Sequence, residues 1–369
     1  ATMVFSKQIY NNIISNISQR SQTYESIDEI SEIISNYFYG SVDDRSRLNA
    51  ALTEGYVEGL GDVNSIYLDA SEYAEYTAIL EGGLTGIGIE TAYDYRTGRF
   101  VITHVYKGSP AEKAGLAALD VITAIDNNAV TMANYSILSE KLYGSMLSAV
   151  QVEYERNGET KVVEPMRGFS IPSVRGRLES NVGYIKINGF YKNTASEFKE
   201  TAEKLIEQGA ESMILDVRNT YSGSIDYAAQ VIDVIVPAIS DNIAVAKDKN
   251  GNIYKNKVYT AENSSITMPF IVLINGSTSG PAELFACDLR DISQAQIVGT
   301  RTAGVGTMQE LFALEDGGAV LLTVALVEPR AGEAAIYNGV GIAPQTEVSL
   351  NAGYTADISL LTVEEDNQL

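Results

Sequence analysis

Side chains able to attack a bond or carry a proton are few in this sequence and sit far apart. There is one histidine, His104, inside the β-branched run FVITHVY, and one cysteine, Cys287, inside the apolar stretch AELFACDL. A lone cysteine in an apolar helical run reads as a packed core thiol, and it has no partner for an internal disulfide. One histidine and one cysteine give a zinc centre little to build on. Asp241, Asp248, Asn250 and Asn252 are not spaced as a calcium loop, and no Walker-type phosphate loop or dinucleotide glycine fingerprint occurs. Neither a metal nor a cofactor is expected. Hydroxyls gather instead in NGSTSGPAE, residues 275–283. A serine hydroxyl is a weak nucleophile at neutral pH and needs a neighbouring base whose pKa is lowered by burial. Ser279, beside Gly280, is an alternative candidate nucleophile, since exposed Ser-Gly turns can be reactive, while Ser277 and Thr278 read as hydrogen-bonding turn residues. Bases for it are scarce. Lys247 and Lys249 lie in AKDKNGN, which reads as an exposed turn, and Arg301 stays protonated.

A second constellation carries binding rather than bond-breaking chemistry. In GGLTGIGIE, Gly86 and Gly88 form a loop able to offer backbone N–H groups to a terminal carboxylate. The strand that starts at Ile87 can pair with an extended peptide. The plainer alternative is a turn entering a strand. The segments SPAEKAGL and DVITAID, downstream of the loop, favour the binding role.

These residues need elements to hold them. The first 80 residues are helix-rich: Ile27, Ile30, Ile33 and Ile34 recur at helical spacing, followed by LNAALTEGYVEGL and ASEYAEYTAIL. From Ile87 to about Met166 the pattern turns to short strands, and VQVEYERNGETKVVE reads as a hairpin on an Asn-Gly turn. SPAEKAGL and ILSEKLYGSML add short helices. From Val182 onward, strands alternate with helices: GYIKINGF, then TASEFKETAEKLIEQG with a Thr N-cap and Gly209 at its end, then SMILDVRN, SIDYAAQVIDVIV, FIVLIN, PAELFACDLRD, AQIVGT and AVLLTVALV. Such alternation predicts an α/β layer.

The 369 residues are enough for two or three domains. Lys and Arg total 26 against 48 Asp and Glu, a formal net charge of −22. Phosphate backbones need clustered basic residues, so nucleic acid is excluded as a partner. No run of 18 apolar residues is present, so no membrane span is expected. The opening at Ala1 leaves room for a removed export signal or anchor.

Several segments together resemble the carboxyl-terminal processing peptidases, the tail-specific serine proteases of family S41. They are LGDVNSIYLDASEYAEY, GGLTGIGIE with VYKGSPAEKAGLAALDVITAIDNNAV, NVGYIKINGFYKNTASEFKETAEKLIEQGAESMILDVRN, FIVLINGSTSGPAELFACDLRD, VGTRTAGVGTMQ and GVGIAPQTEV. The resemblance spans nearly the whole chain, in order. It implies a multidomain α/β and α+β protein: a helical N-terminal segment (1–82), a PDZ β-sandwich or barrel (83–168), a crotonase/ClpP-like α/β protease core (169–355) and a C-terminal tail (356–369). It implies peptide binding at Leu84, Thr85, Gly86, Ile87, Gly88 and Ile89, with peptide or protein C-terminal tails as partners. A homodimer and an extracytoplasmic location are implied as well. Leu119 stands where the family commonly has glycine.

At the catalytic positions the resemblance implies loss. The family's nucleophile segment resembles NGSTASAAE, and the serine's place falls on Gly280. Its base segment resembles TYGKGTMQ, and the lysine's place falls on Val305, with the lysine-positioning Gln309 retained. One oxyanion donor is the N–H after the nucleophile, here Pro281, which has none. The other comes from a segment like LRNNPGG, here VRNTYSG, with Ser222 and Gly223 at the glycine pair. A chain that binds peptides without cutting them is expected. The alternative is an active endopeptidase using Ser279 as a relocated nucleophile.

Overall fold

The computed structural model describes residues 25–42, 45–144, 148–238, 242–263, 266–330, 337–350, 358–361 and 363–369. Residues 1–24 of the expected helical segment, Asp241, and the stretch 351–357, which spans the end of the expected core and the start of the expected tail, lie outside the described residues. The chain divides into two units, one ending at Gly59 and the other running from Leu60 to Leu369.

The first unit contains helices α1 (25–37) and α2 (Ser46–Glu58). Among its described residues only Val57 is buried, while Ile30, Ile33, Phe38, Leu48 and Leu52 stay exposed. The helical spacing of the isoleucines therefore builds an apolar face with no core of its own beneath it.

The second unit opens with β1 (Ile66–Leu68) and α3 (Ala70–Gly82), whose start is fixed by a capping box between Asp69 and Glu72. Next come β2 (Thr85–Gly86), β3 (Ile89–Asp94), β4 (Arg99–Val105), α4 (Pro110–Lys113), β5 (Val121–Ile125), β6 (Asn128–Ala129), α5 (Tyr135–Glu140), β7 (Val152–Arg156), β8 (Glu159–Val163) and β9 (Phe169–Ser170). Strands β3-β4-β5-β7-β8 form one sheet in that order, with β6 beside β5, so β3 is an edge strand. The β7–β8 hairpin turns on Asn157 and Gly158, both at positive φ, as the Asn-Gly pair predicts. Ile87, Ile89, Phe100, Ile102, Ile122, Ile125 and Val152 fill its core.

The last part contains β10 (Val174–Glu179), β11 (Val182–Ile187), α6 (Thr194–Glu207), β12 (Ser212–Asp216), α7 (Ile225–Ile235), β13 (Asn242–Lys247), β14 (Ile253–Thr260), β15 (Phe270–Ile274), α8 (Pro281–Ser293), β16 (Gln296–Gly299), β17 (Thr307–Ala313), β18 (Ala319–Pro329) and β19 (Thr346–Glu347), then a 3₁₀ turn at Ile358–Leu360. One sheet runs β10-β11-β12-β15-β16-β19, parallel except for the β10–β11 pair. A second runs β1-β18-β13-β14, with β17 on β18. Strand β1, set among the N-terminal helices in sequence, pairs Ile66 with Leu321 across the whole intervening chain. Helices α6, α7 and α8 contribute buried side chains to the core shared with the parallel sheet.

Two local expectations change. Helix α6 is preceded by Asn193, and Thr194 is its first residue rather than its cap. The Thr194 hydroxyl instead accepts from Tyr191 N (2.9 Å) and donates to Gly189 O (3.1 Å), tying down the loop before the helix. Leu119 adopts φ 73, the left-handed backbone for which glycine is suited, and its side chain is exposed.

Candidate functional site

The candidate catalytic positions meet at the N-terminal end of α8. This helix starts abruptly because Gly280 takes φ 58 and Pro281 occupies the first helical position, where a missing N–H costs nothing. A Cβ built on Gly280 would touch nothing within 4 Å, so the position has room for a side chain. Ser279, Gly280, Pro281, Val305 and Gln309 line one cleft of about 650 Å³, together with Ser222 and Gly223. Sequence positions more than 80 residues apart are thus brought around one space. The cleft presents hydrogen-bonding groups and apolar walls, but Gly280 offers no hydroxyl and Val305 no amine.

Glu283, a residue that sequence alone did not single out, holds these loops together. It is fully buried and accepts from Gly280 N (3.0 Å), Gly304 N (2.8 Å), Val305 N (2.7 Å) and the Thr302 hydroxyl. One carboxylate therefore pins both the expected nucleophile position, Gly280, and the expected base position, Val305. Its signal in the sequence was an acidic residue in the first turn of a mostly apolar helix, PAELFACDL, where a buried carboxylate needs hydrogen-bond donors.

The opposite wall, residues 218–223, is equally fixed. Lys186 is buried and donates to Arg218 O (2.5 Å), Thr220 Oγ1 (3.1 Å) and Ile187 O (3.3 Å). Burial drives this ammonium below the ordinary lysine range, with Asp216 opposing the shift. Burial tends to raise Asp216, but the charges of Lys186 and Arg218 hold its carboxyl below the ordinary value. Ser279 N donates to Thr220 O (3.0 Å), joining the two walls. The Ser222 hydroxyl pairs with the Tyr191 hydroxyl (2.8 Å). Gly223 has φ 114, and a Cβ there would lie 2.1 Å from Phe190 O, so only glycine fits.

Ser279 is half-buried in this cleft. Among the described residues no lysine amine is hydrogen-bonded to its hydroxyl. The lysine that lines the cleft is Lys257, and both oxygens of Asp226 hold its amine at 2.7 and 2.9 Å. Lys247 is paired with Glu328 and Lys249 lies exposed on the turn capped by Asp248; neither borders the cleft. Gln309 donates to Thr307 Oγ1 (2.8 Å) and Thr323 Oγ1 (3.2 Å). Cys287 is a core thiol, pushed up by burial beyond any nucleophilic range.

The glycine loop forms a different kind of site. Gly86 and Gly88 are demanded by close packing: a Cβ on Gly86 would lie 2.7 Å from Leu142 O, and one on Gly88 2.3 Å from Ser109 Cβ. Ile87 N donates to Leu142 O (3.0 Å), which removes that amide from any ligand. Gly88 N donates to no described group, and Thr85 and Leu84 accept backbone bonds from Gly144 and Ile171. Beyond the loop, edge strand β3 and helix α5 flank a groove of about 720 Å³, with Thr91, Tyr93, Tyr135 and Ser139 on its walls. Its far side is formed by Asn219, Tyr221 and Asn275, and Tyr221, 70% exposed, also lines the cleft. His104 lies outside this groove, on a neighbouring cavity with Arg175. Burial, aided by Arg175, lowers its pKa from the ordinary imidazole value.

Comparisons with known proteins agree with this architecture. Residues 181–348 match peptidase family S41, and residues 83–164 match a PDZ domain. The carboxy-terminal processing protease CtpA of Bacillus subtilis is 28% identical over 330 residues, covering 89% of this chain and 69% of that protein. The chloroplastic C-terminal processing peptidase of Tetradesmus obliquus is 29% identical over 310 residues, covering 78% of this chain and 65% of that protein. Among solved structures, the photosystem II D1 C-terminal processing protease superposes with a TM-score of 0.51 at 27% identity, over 87% of this chain and 86% of that one. Among the described residues no helix is long and apolar enough to cross a membrane. Over residues 181–348 the chain is similar to peptidase family S41, and a PDZ-type domain lies ahead of that protease-type α/β core.

Proposed function

We propose that this protein binds peptide or protein C-terminal tails in its PDZ groove, outside the cytoplasm, and does not cleave them. The observation that carries this reading is the pairing of Gly280 with Val305 in one cleft, where the family's chemistry needs a serine and a lysine. Pro281 adds to it, since one oxyanion donor alone is worth roughly 10²–10³ in rate. Binding is supported by the edge position of β3 in its sheet, the Gly88 amide, which donates to no described group, and the groove between β3 and α5. Calorimetric titration with an unstructured peptide ending in an apolar residue tests it. Binding is expected with a free terminal carboxylate and weakens when that carboxylate is amidated. No affinity for any such peptide overturns the reading. The exposed apolar faces of α1 and α2 support a second copy of this chain as a further partner. A dimer in sedimentation that dissociates in an Ile30→Asp/Leu52→Asp variant is the expected result.

A second reading, an endopeptidase using Ser279, has one observation in its favour: Ser279 borders the same cleft. Against it, among the described residues the lysine lining the cleft, Lys257, is committed to Asp226.

A further inference from the structure

The described residues of the expected tail 356–369, namely 358–361 and 363–369, bond to the rest of the second unit. We propose that they form an internal strap across the PDZ groove, which an incoming peptide must displace. This rests on the groove being the peptide site and adds how access to it is controlled.

The strap has two unequal ends. At the near end, the 3₁₀ turn Ile358–Leu360 packs beside β3, and Ile358 lines the groove opposite Tyr93 and Tyr135. All three residues of this turn are only half-buried. At the far end, Arg218 donates to Asp366 Oδ1 (2.9 Å) and Gln368 Oε1 (2.9 Å), and its second terminal nitrogen lies 2.8 Å from Asp366 Oδ2. Asp366 and Gln368 are each 5% exposed, and Gln368 Nε2 also donates to Val348 O at 2.5 Å. Buried, charge-assisted bonds make the far end the anchor. The near end, with less buried surface, belongs to the part of the fold that opens at lowest cost.

The anchor also connects the strap to the cleft. Arg218 is followed directly by Asn219 and, three residues on, by Tyr221, both on the far wall of the groove, and Tyr221 lines the cleft as well. A peptide entering along β3 therefore meets Ile358 first, while the anchor keeps the displaced segment close enough to return. An occupied groove lowers apparent affinity by the fraction of molecules that are open, so a strap closed nine times in ten costs about ten-fold.

The test uses the full chain and an apolar-ended peptide with a free carboxylate. Ile358→Asn, which leaves the anchor intact, is expected to tighten peptide binding by about ten-fold without a fall in Tm, and a synthetic peptide of residues 358–369 competes for the groove of this variant. In the unaltered protein, saturation with peptide speeds amide exchange at residues 358–361. Asp366→Asn, which loosens the anchor, is a second variant expected to tighten binding. Equal or weaker binding by both variants, with the unaltered protein binding normally, overturns the strap and leaves the peptide site standing. No binding by any of the three proteins overturns the peptide site itself.

Discussion

The cleft at Gly280 and the groove at β3 are built with equal care but differ in what each needs at its centre. Around the cleft the scaffold is fully wired: Glu283 pins two loops, Lys186 pins a third, and Ser279 N bridges to Thr220. Yet bond cleavage in this family depends on two side-chain functional groups, and glycine and valine supply neither. The proposed groove would work chiefly through main-chain groups, the edge of β3 and the Gly88 amide, rather than through reactive side chains. On the reading proposed here, recognition through the backbone persists where glycine and valine replace the expected serine and lysine, on the same fold.

The largest effect is expected at the hub. Glu283→Ala strands four donors in a buried site, at about 1–3 kcal/mol for each that finds no water. A loss of about 4 kcal/mol in urea denaturation is expected. A loss below about 1 kcal/mol would show that the two loops hold their places without it. Next comes a direct contrast between two positive-φ glycines. Gly88→Ala drives a Cβ into Ser109 and is expected to cost about 2–3 kcal/mol and abolish peptide binding. Gly280→Ala meets open space and carries only the left-handed backbone cost, about 1–2 kcal/mol. Equal penalties would erase the distinction between a packed glycine and a vacated one.

A pH series sharpens the comparison from the buried charges. Asp216 titrates below its ordinary value of 3.8 in the fold, so its contribution is fully present above that pH. It is lost as the pH falls through the depressed folded value. Tm is expected to drop over that acid range, with a shallower drop in Asp216→Asn. His104 acts at higher pH. Its folded pKa lies below 6.5, so the unfolded chain binds the proton more readily and stability declines as pH falls from about 6.5. His104→Gln is expected to remove that part of the slope. The smallest effect is at Leu119, where glycine relieves left-handed strain and stabilises by up to about 1 kcal/mol.

Much of this was legible because the relevant residues sit in short ordered segments. NGSTSGPAE, TAGVGTMQ and VRNTYSG each place their expected key positions through resemblance to the family's segments, and the alternation after Val182 predicts an α/β layer. The features that escaped the sequence depend on chain segments far apart. Glu283 reads as one more helix residue until Val305 and Gly304 arrive to use its oxygens. Lys186 looks like an ordinary strand lysine, and only the 218–220 loop folded over it shows why it can be buried. Arg218 and Asp366 are 148 residues apart, so nothing local marks the final segment as anchored. The glycines of GIGI were legible as a special loop. That both are required by packing against Leu142 and Ser109 was not, because steric demand and ligand access leave the same letter in the sequence.

Ser279 is where the proposal of binding without cutting is most exposed. The correctly folded chain, incubated with a fluorophosphonate probe and weighed intact, is expected to keep its unmodified mass. A mass increase of one adduct, mapped to Ser279, would contradict that account and make the cleft an active site.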